Sequence, residues 1–266
     1  MRNTRIGFVT IAALTVVVLV SAATDLHAQF QAPGALGALA PANLSKPRPK
    51  PAFDLTGTWL HASGPNNPWQ FAPPVGFKLT PEAQAIYDDA LKARGDGKVY
   101  HDDIGQCWPS GLPILMTRVW PIAMIQLPTA IYMIQELMNT MRVVYLDGRQ
   151  HTDPDIAVPS FNGESIGHWE NDTLVIDTKY FVAEHHWIDN GVRGSDALHI
   201  VERIRMQDQG KTLEIETTAT DPKTFVGEWK WTKRFGRQDE RDIAEVECLP
   251  DLNDHMPTTH SNANVR

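Results

Sequence analysis

The stretch from Ser165 to Thr178 constrains the fold more than any other part of this chain. It reads as two short strands meeting at Asn171-Asp172, a pair that tolerates the positive φ of a tight hairpin turn. The second run, Leu174 to Thr178, is β-branched or apolar at almost every position, and Trp169 on the first run is large enough to cover the buried face of the hairpin. A β-protein follows from this. The same region holds Gly163-Glu164-Ser165-Ile166-Gly167, which fits the G-x-S-x-G pattern of serine hydrolases. That motif needs a buried strand before its serine and a helix after it, whereas here a Pro/Asn/Gly loop precedes and a hairpin follows, so the context argues against a nucleophile.

Strand patterns continue over Ile122–Leu127, Ile131–Leu137, Arg142–Leu146, Leu198–Met206, Thr212–Thr218, Glu228–Phe235 and Ile243–Cys248. Turn signals stand at Asp147-Gly148, Asn171-Asp172 and Gln209-Gly210. Within these runs apolar and polar residues alternate. Leu213, Ile215 and Thr217 share one face and Glu214, Glu216 and Thr218 the other, as in a sheet with one face buried and one in water. Asp54 to Trp59 opens the domain, with Gly57 permitting close backbone approach and Trp59 as a core anchor. One helix is predicted: Thr80 is its N-cap, Pro81 and Glu82 begin its first turn, Ala83 to Arg94 are good helix formers and Gly95 closes it. No repeat period emerges. The expected fold is mainly β, an antiparallel meander forming a lipocalin-like barrel or sandwich with one N-terminal helix.

Arg2 and Arg5, an apolar run from Ile6 to Val20 and the small residues Ser21, Ala22 and Ala23 have the layout of a secretory signal over residues 1–28, cleaved after Ala23 or Ala28. An uncleaved anchor is the alternative, since the run approaches the length needed to span a bilayer. Residues 29–51 are rich in Ala, Pro and Gly and predict a flexible leader. A single β-rich domain over 52–249 and a polar tail over 250–266 complete the chain. The net charge is −8, and loss of residues 1–28, which carry Arg2, Arg5 and Asp25, makes it one more negative. That balance disfavours nucleic acid and anionic membrane as partners and leaves small ligands open. Once exported, the protein is expected in the periplasm or medium without stable membrane association. Cys107 and Cys248, an even pair in an oxidising compartment, predict a disulfide, with two unpaired buried thiols as the alternative.

Several segments carry a family resemblance: Cys107-x-Pro109-x-Gly111-Leu112-Pro113, Tyr145 to Arg149, Ser165-Ile166-Gly167-x-Trp169-Glu170-x-Asp172-Thr173-Leu174-Val175, and Leu198-His199-x-Val201-Glu202-Arg203. With the Gly57-x-Trp59 start, which is similar to that of calycin and lipocalin-like barrels, they resemble a large, mostly uncharacterised family of exported bacterial proteins. The resemblance covers Asp54 to Cys248 and implies export and a β-rich domain. His168 departs from it, the family more often having arginine there.

Chemistry concentrates in two places. On the strand from Leu198, alternation sets His199, Val201, Arg203 and Arg205 on one face and Leu198, Ile200, Glu202, Ile204 and Met206 on the other. Glu202 thus lies among apolar neighbours and must be paired or carry a raised pKa. It is either a structural ion pair, for example to Arg142 of a neighbouring strand, or part of a site. Glu184 to Asp189 gathers His185, His186, Trp187 and Asp189 in a loop. With His199 and Glu202, His186 and Asp189 are candidate acid/base catalysts, because imidazole titrates near neutrality and a carboxylate fixes its tautomer. Their spacing fits no established zinc pattern, so neither metal nor organic cofactor is predicted. His199 and Glu202 point to opposite faces of a regular strand, so a common site requires a bulge or the strand's end. His151 and His101 lie in polar, turn-like surroundings and read as solvated. Trp229, Trp231 and Phe235 share a face and, with Trp187, Tyr132 and Arg142, form either core or the wall of a pocket. Two functions fit: an exported barrel holding a small apolar or aromatic molecule in an internal pocket, or an extracytoplasmic lyase, isomerase or hydratase using the histidine and carboxylate.

Overall fold

The computed structural model describes residues 35–64, 73, 76–96, 103–104, 106–189 and 191–249. The expected signal (1–28), His101 and the polar tail (250–266) lie outside the described residues.

The long strands close into a barrel of nine. They are β1 (Gly57–His61), β2 (Ile122–Gln126), β3 (Ala130–Gln135), β4 (Met141–Tyr145), β5 (Glu164–Glu170), β6 (Thr173–Lys179), β9 (His199–Gln207), β10 (Thr212–Thr220) and β11 (Trp229–Gln238), with β7 (Trp187–Asp189) and β8 (Val192–Arg193) forming a separate hairpin. The order around the barrel is β1-β11-β10-β9-β6-β5-β4-β3-β2, and β2 pairs back on β1. Closure leaves no edge strand to manage. Alternation sets what faces in: Ile200, Glu202 and Ile204 of β9 oppose Ala219, Thr217 and Ile215 of β10, which in turn oppose Trp229, Trp231 and Lys233 of β11. The inward positions are buried and fill the barrel with Trp59, Met124, Ile131, Met133, Val144, Leu174, Ile176 and Phe235 among others. The β5–β6 hairpin turns at Asn171, whose φ is 55°.

Three departures from a simple antiparallel meander matter. β4 and β5 pair in parallel, Val144 with Ser165 and Tyr145 with Ile166, so residues 146–163 must cross from one end of the barrel to the other. β6 pairs with β9, which leaves the β7–β8 hairpin outside the barrel wall. Ile243–Cys248, expected as a strand, makes only a single bridge, Val246 to Leu137, because β1 already occupies the free edge of β11.

The barrel's two ends differ. At one end lie His61, Gln135, Arg142, Ser165, Ile200 and Trp229, capped by β7 and by a 3-10 turn, Ile114–Thr117. Gln135 Nε2 donates to the Leu115 carbonyl at 2.8 Å, and His186 Nε2 to that of Leu112 at 2.7 Å. Gly111 has φ +64°, and a Cβ there would stand 2.5 Å from the Phe161 carbonyl oxygen, so the cap closes only on a glycine. A disulfide joins Cys107 to Cys248 across a sequence separation of 141 and anchors the capping segment to the stretch that follows β11. Helix α2 (Pro81–Gly95) begins where the Thr80 cap and Pro81 placed it, and it buries Ala83, Ala90 and Ala93 beside β8. Thr80 Oγ1 accepts from the Ala83 amide at 3.4 Å.

At the other end residues 35–54 lie across the barrel, with a short helix α1 (Pro41–Leu44). Composition offers this stretch few large apolar groups; tertiary hydrogen bonds supply the order instead. Thr129 Oγ1 donates to the Ala38 carbonyl at 2.7 Å, Asn43 Nδ2 to Asp147 at 3.0 Å and Gln126 Nε2 to the Phe53 carbonyl at 3.1 Å. No helix among the described residues is long and apolar enough to cross a membrane.

Candidate functional site

Glu202 points into the barrel and is paired with Arg142 Nη2, each side chain being 1% exposed. Arg142 Nε also donates to Ser165 Oγ at 3.1 Å and its Nη2 to Thr178 Oγ1 at 3.2 Å, and the two hydroxyls bond each other at 2.9 Å. The arginine alternation suggested is therefore the partner. The serine of the G-x-S-x-G sequence is an inward-facing strand residue inside this network, with no helix behind it.

His199 stands on the opposite, outer face, where its Nε2 contacts Asp177 Oδ2 at 2.7 Å. The strand is regular through His199–Glu202, so the two do not converge. His186 and Asp189 belong to the cap. The His186 ring stacks on Phe181 at 5.2 Å, and burial pushes its pKa down to about 4. Trp187 Nε1 donates to Asp103, which also contacts His185 at 3.2 Å, and the Arg193 guanidinium lies 4.8 Å over the Trp187 ring. Trp229 and Trp231 face inward, edge to face at 5.8 Å, with Trp229 also packed on Phe77 and Phe225. Tyr132, between inward Ile131 and Met133, faces outward. Of the predicted site residues, Arg142, Glu202, Trp229 and Trp231 thus share the interior, Asp189, His186 and Trp187 share the cap, and His199 and Tyr132 share neither.

His151, read from sequence as solvated, is instead the centre of a network on the outer face. Its Nδ1 contacts Glu164 at 2.9 Å and its Nε2 contacts Asp177 at 2.7 Å, so Asp177 bridges His151 and His199. Thr152 adds amide and hydroxyl bonds to Glu164. The parallel crossover is what delivers His151 here, and nothing in its local sequence announces it. Burial opposes the charge on His151, but the hydrogen bonds and field of Asp177 and Glu164 outweigh it and hold its pKa above the ordinary value. For Asp177, burial is likewise outweighed by its two histidines and Lys179, and its carboxyl sits far below the usual range. Among the described residues no group of three His, Cys, Asp or Glu side chains is placed to hold a metal ion.

A cleft of about 980 Å³ opens at the uncapped end, between residues 44–54 and the barrel. Phe53, Leu127, Pro128, Leu146 and Trp169 give it apolar walls, and the rings of Phe53 and Trp169 meet edge to face at 4.8 Å. Exposed Lys46, Lys50 and His168 line its rim. Its acids are largely committed: Asp147 is held by Arg149 at 2.6 Å and by Asn43, which outweigh its burial and keep its pKa at about 2. Gly167 lets β5 pass close to the wall, since a Cβ there would meet Leu146 at 2.8 Å. This cleft was not legible in sequence because half of its lining comes from residues 44–54, the end of the Pro-rich leader and the start of the domain. Compared with known proteins, the chain matches no family model and no curated sequence.

Proposed function

We propose that the protein is an exported β-barrel that binds a small, apolar or aromatic molecule bearing an acidic group, held in the cleft under residues 44–54. The observation that carries this reading is the cleft itself: its volume suits a drug-sized ligand, its walls are apolar and aromatic, and its rim is cationic. The barrel interior is filled by Trp59, Phe235 and the aliphatic layers. The secretory layout of residues 1–28 and the disulfide favour an oxidising, extracytoplasmic setting.

Titration of the mature protein with 1-naphthoate, followed by tryptophan fluorescence, tests it. Saturable binding is expected, weakened about three- to tenfold by the pair Lys46→Gln and Lys50→Gln and lost in Trp169→Ala, while neutral 1-naphthalenemethanol is insensitive to the lysine changes. Absence of saturation, or equal loss for the neutral probe in the lysine variant, overturns the reading.

A further inference from the structure

The crossover that joins β4 to β5 forms part of the cleft wall and is fastened to the barrel a few residues further on. Leu146, Asp147 and Gly148 line the cleft, and Asp147 accepts from Asn43 of the leader at 3.0 Å and from Arg149 at 2.6 Å. Soon after Gly148 comes His151, whose Nδ1 stands 2.9 Å from Glu164 Oε1 and whose Nε2 stands 2.7 Å from Asp177 Oδ1. Thr152 beside it donates to Glu164 from its amide at 2.8 Å and from its hydroxyl at 2.5 Å, and its carbonyl accepts from Tyr180. Residues 153–156 and 158–160 are exposed, so His151 and Thr152 carry the attachment of this part of the crossover to β5 and β6. Both ring nitrogens of His151 thus face carboxylate oxygens. A neutral imidazole has one N–H, so it donates to one carboxylate and turns a lone pair on the other; only the imidazolium satisfies both.

We propose that His151 is a pH-dependent clamp on the cleft: as imidazolium it holds residues 146–152 against the barrel and the cleft retains its ligand, and on losing its proton it frees this wall and the ligand is released. The inference rests on the cleft being the binding site and adds how that site is regulated. His151 touches Glu164 on β5 and Asp177 on β6, and the Tyr180 ring packs edge-on against it at 5.9 Å. Around these, Lys179 lies 3.8 Å from Asp177 Oδ1 and His199 on β9 lies 2.7 Å from its Oδ2. The crossover itself adds Arg149, in the field of Glu164, and Asp153, in that of Tyr180. When His151 becomes neutral, two carboxylates are left with one N–H between them, and one of the two contacts is given up. Because Asp147 also holds Asn43, the leader over the cleft loosens at that end, while Gln126 keeps the Phe53 end in place at 3.1 Å. Burial opposes the His151 charge, but Asp177 and Glu164 outweigh it and keep its pKa above 6.5. Both acids have depressed pKa values and stay ionised there, so release comes as pH rises from neutral into the alkaline range.

The test titrates the full exported chain with neutral 1-naphthalenemethanol, on which the rim lysines have no charge to act, at pH 6 and at pH 9.5, followed by tryptophan fluorescence. Affinity is expected to be about three- to tenfold weaker at the higher pH, and His151→Gln, which cannot take up the charge, should bind weakly at both. In the ligand-free natural protein, the methyl NMR signals of Leu146 in the cleft wall should titrate with the same midpoint as the His151 ring resonances. That measurement stands whether or not the variant folds. Equal affinity at the two pH values, or the same fall in His151→Gln, overturns the proposal. Lack of saturation at either pH instead refutes the cleft as the binding site, and release falls with it, whereas Leu146 methyls that ignore the His151 titration refute the clamp alone.

Discussion

Removing one partner of the Arg142–Glu202 pair should be far more damaging than removing both. Each side chain is 1% exposed, and among the described residues the other acceptors that Arg142 reaches are the neutral hydroxyls of Ser165 and Thr178. Glu202→Leu therefore leaves a buried guanidinium with no counter-charge, and Arg142→Met leaves a buried carboxylate; each should cost about 3–5 kcal/mol. The double variant removes both charges together with their desolvation penalties and fills the space with apolar atoms beside Ile176 and Met133, so it should lie within about 2 kcal/mol of the natural protein or above it. The coupling energy in the cycle is then at least about 4 kcal/mol. Urea unfolding followed by far-UV circular dichroism measures it, and a domain with ordinary total stability of about 5–15 kcal/mol leaves room to see both single variants. If each single change costs less than about 1 kcal/mol, or if the two costs simply add in the double variant, the reasoning fails. The cycle also separates structure from function, because naphthoate binding at the opposite end should be the same in the natural protein and the double variant.

The His151 network predicts a pH signature. The raised His151 pKa contributes stability that is full below its unfolded value of 6.5 and is lost as pH rises through the folded value, whereas the depressed Asp177 and Glu164 contribute above their ordinary values of 3.8 and 4.5 and lose that contribution as pH falls towards the folded ones. The destabilisation caused by His151→Gln should thus be greatest between about pH 5 and 6.5 and shrink towards pH 9; a penalty that grows with alkaline pH contradicts the network. For the disulfide, the pair Cys107→Ser and Cys248→Ser should lower stability by up to about 4–5 kcal/mol in the chain-entropy account, and an unchanged urea midpoint would count against it.

What could be read without the structure was whatever depends on one strand and its own turn. The Asn171-Asp172 hairpin, the Thr80 cap of the helix and the inward direction of Glu202 all follow from local periodicity, and so does the presence of an arginine partner for a buried acid. What could not be read depends on which strand lies beside which. Parallel pairing of β4 with β5 leaves no mark on either strand's alternation, yet it alone carries His151 to Glu164 and Asp177 and sets Asp147 and Gly148 against the leader. Likewise Ile243–Cys248 has strand-like character but arrives after the barrel has closed. The same logic limits how β9 can build a site. His199 and Glu202 are three apart, so a regular strand commits one to the outer network and the other to the interior pair, and joint catalysis by them would break both sets of hydrogen bonds. A site inside this barrel must draw on residues two apart along a strand, or on register partners.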